Sequence, residues 1–243
     1  MPYEDIVVDP AFTGPPSAAQ GGYVCGRLAR FVPGAAEVTL RTPVPLGVAL
    51  RVDAYDGGVA MYDGSTLVAT AAPGRLDLAV PAPPTVAEAS LASAAFPGFA
   101  THPYPGCLVC GPDRSDDVAF QIFPGPLAGR DLLAAVWNPG NGAASDGAVG
   151  TEFAWAALDC PAGWAAAWFA SRVGTPAGPA VLGRMTAQLY EPVPANDVRI
   201  LIGWLIGRSG RKLDAASALF SRSGTLLGLS RQTWITLAGG VTR

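Results

Sequence analysis

Thr151-Glu-Phe-Ala-Trp155-Ala-Ala-Leu-Asp159-Cys160-Pro161-Ala-Gly-Trp164-Ala-Ala-Ala-Trp168-Phe169 is the stretch on which the fold turns. Phe153, Ala156, Ala157, Cys160, Trp164 and Trp168 recur at three- and four-residue steps, with almost no charge on any face. That pattern predicts a helix of about five turns, buried nearly all round. Acids are rarely fully buried unless paired, so Asp159 in the middle of this helix needs a reason. Two are open. Asp159 could cap backbone N–H groups where Pro161 breaks or restarts the helix. Or an apolar wall sets its pKa and position for use as a base or nucleophile.

Working outward, composition bounds what such a helix belongs to. The chain has 243 residues, half of them apolar and 14% charged, enough for a large core in one or two domains. No apolar run reaches the length of a membrane span, and the Met1-Pro-Tyr-Glu-Asp5 start lacks the basic region of a signal peptide. The expected location is the cytoplasm. A net charge of −3, with 16 scattered Lys and Arg, makes no basic stripe, so neither nucleic acid nor membrane is an expected partner. Four cysteines do not make a disulfide framework.

In chain order, an extended segment runs to about Pro16. Ser17-Ala-Ala-Gln20-Gly21-Gly22-Tyr23 through Arg30 then reads as an N-capped helix opening with glycines. From residue 35 the period becomes two, over Glu37–Arg41, Val48–Tyr55, Val59–Tyr62 and Thr66–Thr70, with Asp56-Gly-Gly and Asp63-Gly-Ser as hairpin turns. Residues 73–116, rich in Pro, Ala and Gly, read as a connector with one short helix at Val86–Ala95. Strands are predicted at Val118–Phe123 and Leu132–Trp137. After the central helix and Gly174-Thr-Pro-Ala-Gly-Pro179 come four more, at Val181–Tyr190, Val198–Ile206, Leu213–Ser221 and Leu226–Leu237.

The order of elements occurs twice. Pro43-Val-Pro45 recurs as Pro192-Val-Pro194, an offset of 192 − 43 = 149, each time after a first strand. The helices admit two registers. Phe12, Gly22 and Tyr23 match Phe153, Gly163 and Trp164 at a constant offset of 141, which puts Asp159 before the shared glycine. Matching helix starts puts it well inside instead. Either way the chain reads as a tandem repeat. The expected units are 1–84 and 117–243, joined by a connector at 85–116.

Phe12-Thr-Gly-Pro-Pro-Ser-Ala-Ala-Gln20-Gly21-Gly22-Tyr23, followed by Glu37-Val-Thr-Leu-Arg41-Thr-Pro-Val-Pro45, resembles the thioesterase-like superfamily with the hotdog fold, in its double-hotdog form. Trp155-Ala-Ala-Leu-Asp159-Cys160-Pro-Ala-Gly-Trp164 and the strands from Arg211 to Trp234 look like the C-terminal unit of such proteins. The resemblance implies an α+β fold: two long helices wrapped by a curved antiparallel sheet, with the two units joined edge to edge. It also implies hydrolysis of an acyl-CoA thioester, with an acid on the helix of one unit and backbone N–H groups at the glycine turn of the other.

The residues suit that chemistry. Gly21 and Gly22 N–H groups at a helix N-terminus could meet a developing oxyanion, and glycine lets backbone come close. Asp159 would attack or activate water, and Gln20, standing where the family often has His, could orient either. Arg114, Tyr23 and Trp155 are the expected substrate contacts, Arg114 for a CoA phosphate. Acyl-CoA is then the substrate, with no other cofactor, and double-hotdog chains could associate into homo-oligomers. The first helix has Ala29 at the depth of Asp159 by one register, so at most one of the two sites is complete. A non-catalytic double hotdog that binds acyl-CoA or another apolar ligand is the alternative.

Other chemistries find little support. No Gly-x-Ser-x-Gly, Gly-x-x-x-x-Gly-Lys-Ser/Thr or Gly-x-Gly-x-x-Gly occurs, and His102, the one histidine, lies in the connector. His102-Pro-Tyr-Pro-Gly-Cys107-Leu-Val-Cys110-Gly could bring two thiolates and an imidazole to zinc. A structural site needs four ligands, however, and no fourth is evident. The expectation is therefore no metal: a structured loop packed at a pocket mouth.

Overall fold

The computed structural model describes residues 4–140, 143–145, 147–172 and 179–237. Strand β1 (Ile6–Val7) leads to helix α1 (Gly21–Ala29) and a meander of β2 (Ala36–Leu40), β3 (Ala49–Tyr55), β4 (Gly58–Asp63) and β5 (Thr66–Pro73). The connector carries α2 (Val86–Ala94) and a 3-10 turn, Pro97–Phe99. Short strands β6 (Gly125–Pro126), β7 (Leu133–Trp137), β8 (Ala144–Ser145) and β9 (Ala148–Val149) precede the long helix α3 (Thr151–Arg172). Strands β10 (Ala180–Leu189), β11 (Arg199–Ser209), β12 (Lys212–Phe220) and β13 (Leu226–Thr236) follow. Most of the expected Gly174–Pro179 link lies outside the described residues. Among the described residues no helix is long and apolar enough to cross a membrane.

Among the same residues, eleven strands form one sheet in the order β1-β3-β4-β5-β2-β10-β13-β12-β11-β7-β6, and β8 and β9 pair apart from it. The strand pairings are antiparallel throughout. The two meanders meet where β2 pairs with β10, in the register Val38↔Met185 and Glu37↔Thr186. Polar side chains hold that seam on one face. Glu37 accepts from Thr186 Oγ1 at 3.2 Å and pairs with Arg184 at 3.4 Å.

Helix α3 lies against this sheet, and its alanines explain how. All nine residues from Ala154 to Ala162 are buried, so no face of the helix there meets water, as the unbroken apolar pattern predicts. Pro161 sits inside the helix, where it removes one amide donor. One residue on from the Ala157 carbonyl that this donor would have served, the Leu158 carbonyl accepts from Ser217 Oγ at 2.5 Å and Gln232 Nε2 at 2.9 Å. These two side chains share Ser230 Oγ at 2.8 Å each. A buried polar trio on β12 and β13 thus holds the middle of α3.

Strand β11 is buried on both faces at its start because α2 covers the side opposite α3. Leu201 joins the core with α3, while Ile200 and Ile202 join Ala89 and Ala92 of α2. The connector is therefore also a second layer. Its helix begins with a capping box, Thr85 Oγ1 accepting from Glu88 N–H while the Glu88 carboxylate accepts from Thr85 N–H. Val118–Phe123, predicted as a strand, is not one. Gln121 adopts φ 53, which breaks the pleat, and the segment instead donates Phe120 N–H to Leu108 and Ile122 N–H to Val109.

The first helix also departs from expectation. It starts at Gly21 rather than Ser17, and at nine residues it is short. Ser17 has φ 60, outside the conformation an N-cap adopts, and Gln20 takes that place. The helix crosses α3 at close range. A Cβ on Gly26 would stand 2.5 Å from Glu152 Cα, and one on Gly22 would stand 2.8 Å from the Trp155 carbonyl oxygen. Backbone cannot yield as a side-chain tip can. Gly26→Ala should therefore destabilise the protein by about 1–3 kcal/mol through overpacking, although alanine favours an isolated helix by about 1 kcal/mol. Urea unfolding of the variant measures the balance, and unchanged stability would show that the two helices separate freely.

Candidate active site

The N-terminus of α1 and the middle of α3 meet at Asp159. Gln20 is the N-cap: its Oε1 accepts from Tyr23 N–H at 2.6 Å, and its Nε2 donates to Asp159 Oδ2. Gly22 N–H donates to the same Oδ2 at 2.9 Å. Of the two readings open for Asp159, a local cap at Pro161 is not what the structure shows. Its own helix runs unbroken through Pro161, and the acid acts on the start of the other helix, where backbone amides lack intrahelical acceptors. The close approach demands glycine here, since a Cβ at Gly22 would come within 2.6 Å of Asp159 Cβ.

The two carboxylate oxygens differ. Oδ2 carries both hydrogen bonds, while Oδ1 is buried with no partner. Asp159 is only 3% exposed. Burial raises its pKa to about 7, opposed by the Gly22 N–H and Gln20 bonds and reinforced by nearby Cys107. Gly21 N–H has no acceptor among the described residues. The site therefore presents one unpartnered carboxylate oxygen and one free amide at a helix N-terminus, an arrangement suited to taking a proton and meeting a developing negative charge.

The structure brings Gln20 and Gly22 onto Asp159, with Gly21 between them in sequence, and buries or engages the side chains expected to contact substrate. Tyr23 and Trp155 are core residues, 3% and 2% exposed. Tyr23 packs on Phe12 at 4.6 Å and Phe153 at 5.5 Å between ring centres, while Trp155 lies against Gly26 of α1. Arg114 is not free to meet a phosphate. Its Nε and Nη2 form a fork on Asp116 at 2.7 and 2.8 Å, and its Nη1 donates to the Ala11 carbonyl at 2.7 Å. Two surface clefts are not lined by the acid, one at Gly207–Ser209 and Lys212, the other at Val149, Thr151 and Leu189–Val193.

Two features escaped the reading of the sequence. One is the Ser217, Ser230 and Gln232 trio behind Leu158. Its signal was present, because Ser217 shares the inward register of Leu213, Ala215 and Leu219. The other is Cys160, whose sulfur lies within 4.8 Å of those of Cys107 and Cys110. The cysteine pair of the connector is therefore not alone.

No protein-family model and no curated protein matches the chain. Solved structures do. The tesB protein of Mycobacterium avium subspecies paratuberculosis is 12% identical with a TM-score of 0.56, over 93% of this chain and 90% of its own. Acyl-CoA thioesterase II TesB2 from Mycobacterium marinum is 12% identical at 0.55, over 92% of each. A protein of unknown function with a hot dog fold from Alicyclobacillus acidocaldarius is 11% identical at 0.53, over 97% and 92%. The chain thus has the α+β hotdog fold of these structures, along nearly its whole length.

Loss of the Gln20 side chain strips α1 of its cap and Asp159 of a hydrogen bond. Gln20→Ala should cost about 1–2 kcal/mol of stability, at the upper end of N-cap losses. The drop in the urea midpoint reads it, and a midpoint equal to that of the unaltered protein would remove Gln20 from the site.

Proposed function

We propose that this chain hydrolyses acyl thioesters, with acyl-CoA as the substrate class and Asp159 as general base. One observation carries the reading: Asp159 Oδ1 is buried and unpartnered while Oδ2 is held by Gly22 N–H and Gln20. Oδ1 would take a proton from water as the water oxygen attacks the thioester carbonyl. Gly21 N–H would stabilise the resulting oxyanion. Collapse breaks the C–S bond, and the leaving thiolate recovers the proton from Asp159. Gly22 holds the base in this scheme, because its amide is already engaged. The names of the mycobacterial structures, tesB and acyl-CoA thioesterase II, support the substrate class at the level of fold.

The reading includes a tandem double hotdog. Strand order β3-β4-β5-β2 on one side of the seam mirrors β11-β12-β13-β10 on the other. The facing pair Glu37 and Thr186 repeats the sequence offset of 149. Units at 1–84 and 117–243 fit this, although α1 and α3 differ in length and only α3 brings an acid.

The closed surroundings of Asp159 favour a second reading. A 3% exposed carboxylate that caps a neighbouring helix suits a non-catalytic double hotdog in which ligand binds elsewhere. A panel of short, long and aromatic acyl-CoAs, assayed with Asp159→Asn, separates the two. If Asp159 is the base, Asp159→Asn keeps the shape and lowers turnover by roughly 10²–10⁴-fold. Turnover equal to the unaltered protein, or binding without turnover across the panel, supports the second reading. The base works only when ionised and its pKa is raised to about 7. So kcat/KM should rise with pH through about 7 and fall on the acid side, a limb absent from the residual activity of Asp159→Asn.

A further inference from the structure

The three clustered cysteines are not needed by the chemistry at Asp159. Cys107, Cys110 and Cys160 are buried, 5%, 3% and 6% exposed, with their sulfurs all within 4.8 Å of one another. Two come from a turn of the connector and the third from α3, so the fold itself assembles the set. Cys107 Sγ and Cys160 Sγ are 3.8 Å apart, against about 2.05 Å in a disulfide. Two thiolates on one tetrahedral zinc, each about 2.3 Å from the metal, stand about 3.8 Å apart.

A hydrogen-bond donor faces these sulfurs: Trp164 Nε1 donates to Cys110 Sγ at 3.4 Å. Donors aimed at sulfur favour the thiolate, the form that binds metal. The turn is tightly built. A Cβ on Gly111 would stand 2.5 Å from the carbonyl oxygens of Cys107 and Pro105, and Leu108 N–H is tied to Thr13 at 2.8 Å.

We propose that Cys107, Cys110 and Cys160 form a metal site that binds one thiophilic d10 cation, zinc, through three thiolates. Soft sulfur ligands select this class of ion. The three thiols give up their protons as the metal binds. His102 supports the site without ligating. Its Nδ1 accepts from Tyr104 N–H at 2.9 Å, which leaves the ring proton on Nε2. That nitrogen is buried with no hydrogen-bond partner among the described residues. Three protein ligands are also the complement of zinc sites that keep an exchangeable fourth position. The metal would pin the connector to α3 one residue from Asp159, independently of whether that acid is catalytic.

Cobalt titration of the reduced, chelator-treated full chain tests the site without any assay of activity. The expected result is one equivalent bound, with thiolate-to-cobalt charge-transfer absorption that added zinc abolishes, and a lower unfolding midpoint for the stripped protein. Trp164→Phe should weaken binding by about 10–100-fold, as for loss of an outer-shell partner, and Cys160→Ser should weaken it further. Cys25→Ser, a buried thiol outside the cluster, should leave it unchanged. Absence of the charge-transfer band in the unaltered chain overturns the proposal whatever the variants do. So does full binding by Cys160→Ser, or isolation of the chain as a metal-free disulfide two hydrogens lighter.

Discussion

Asp159 Oδ2 against the Gly22 N–H is the interaction on which the arrangement depends. Burying a carboxylate is costly unless it is paired and hydrogen-bonded, and the partner here is the amide end of another helix, where the backbone dipole favours negative charge. The balance is incomplete, because burial outweighs the two bonds and raises the pKa to about 7. That incompleteness has a structural source. Both donors act on one oxygen and leave the other unmet. Gly22 serves twice: its missing side chain lets α1 and α3 cross closely, and the same closeness brings its amide within reach of the acid.

Three consecutive residues then tie three parts of the molecule to one turn of α3. The Leu158 carbonyl is held by β12 and β13 through Ser217 and Gln232, Asp159 engages α1, and Cys160 meets the connector cysteines. A helix with all faces buried cannot adjust one contact without the others, since interiors are packed as densely as organic crystals. Such a turn transmits position well. Whatever fixes Cys160 also fixes the carboxylate beside it.

Periodicity made most of the fold legible. Alternation over Glu37–Arg41, Val48–Tyr55 and the last four strands marked half-buried strands, and the unbroken apolar run at Asp159 marked a helix with no solvent face. What failed did so for local reasons. Val118–Phe123 alternates like a strand, but the left-handed Gln121 and the tie to Leu108 and Val109 make it a brace for the cysteine turn. Ser17 is a better N-cap by type than Gln20, yet its φ of 60 excludes it. Pro161 suggested a break because its cost to a helix is local, yet the helix runs through it, with the neighbouring Leu158 carbonyl held by strands far along the chain. The meeting of Asp159 with Gln20 and Gly22 at the start of α1 was legible. Arg114 was legible as a cation but not as one already held by Asp116 and Ala11, since a side chain's partners depend on the tertiary fold.

Likeness in fold to tesB and TesB2 at 12% identity constrains the backbone far more than the chemistry, because one fold hosts many activities and function belongs to the site. Here the site contains two separable devices on adjacent residues. A carboxylate with a free oxygen is a reason to look for proton transfer, and a triad of thiols is a reason to look for a metal. Neither requires the other: the acid is oriented by α1, the sulfurs by the connector. Their adjacency still has a physical consequence. Three thiolates on a dication leave a net negative charge near Asp159, so the electrostatics of the acid follow the state of the cysteines, and Cys107 already raises the Asp159 pKa. The connector, which sequence composition presents as a link between two units, is on this view part of the environment that sets the acid.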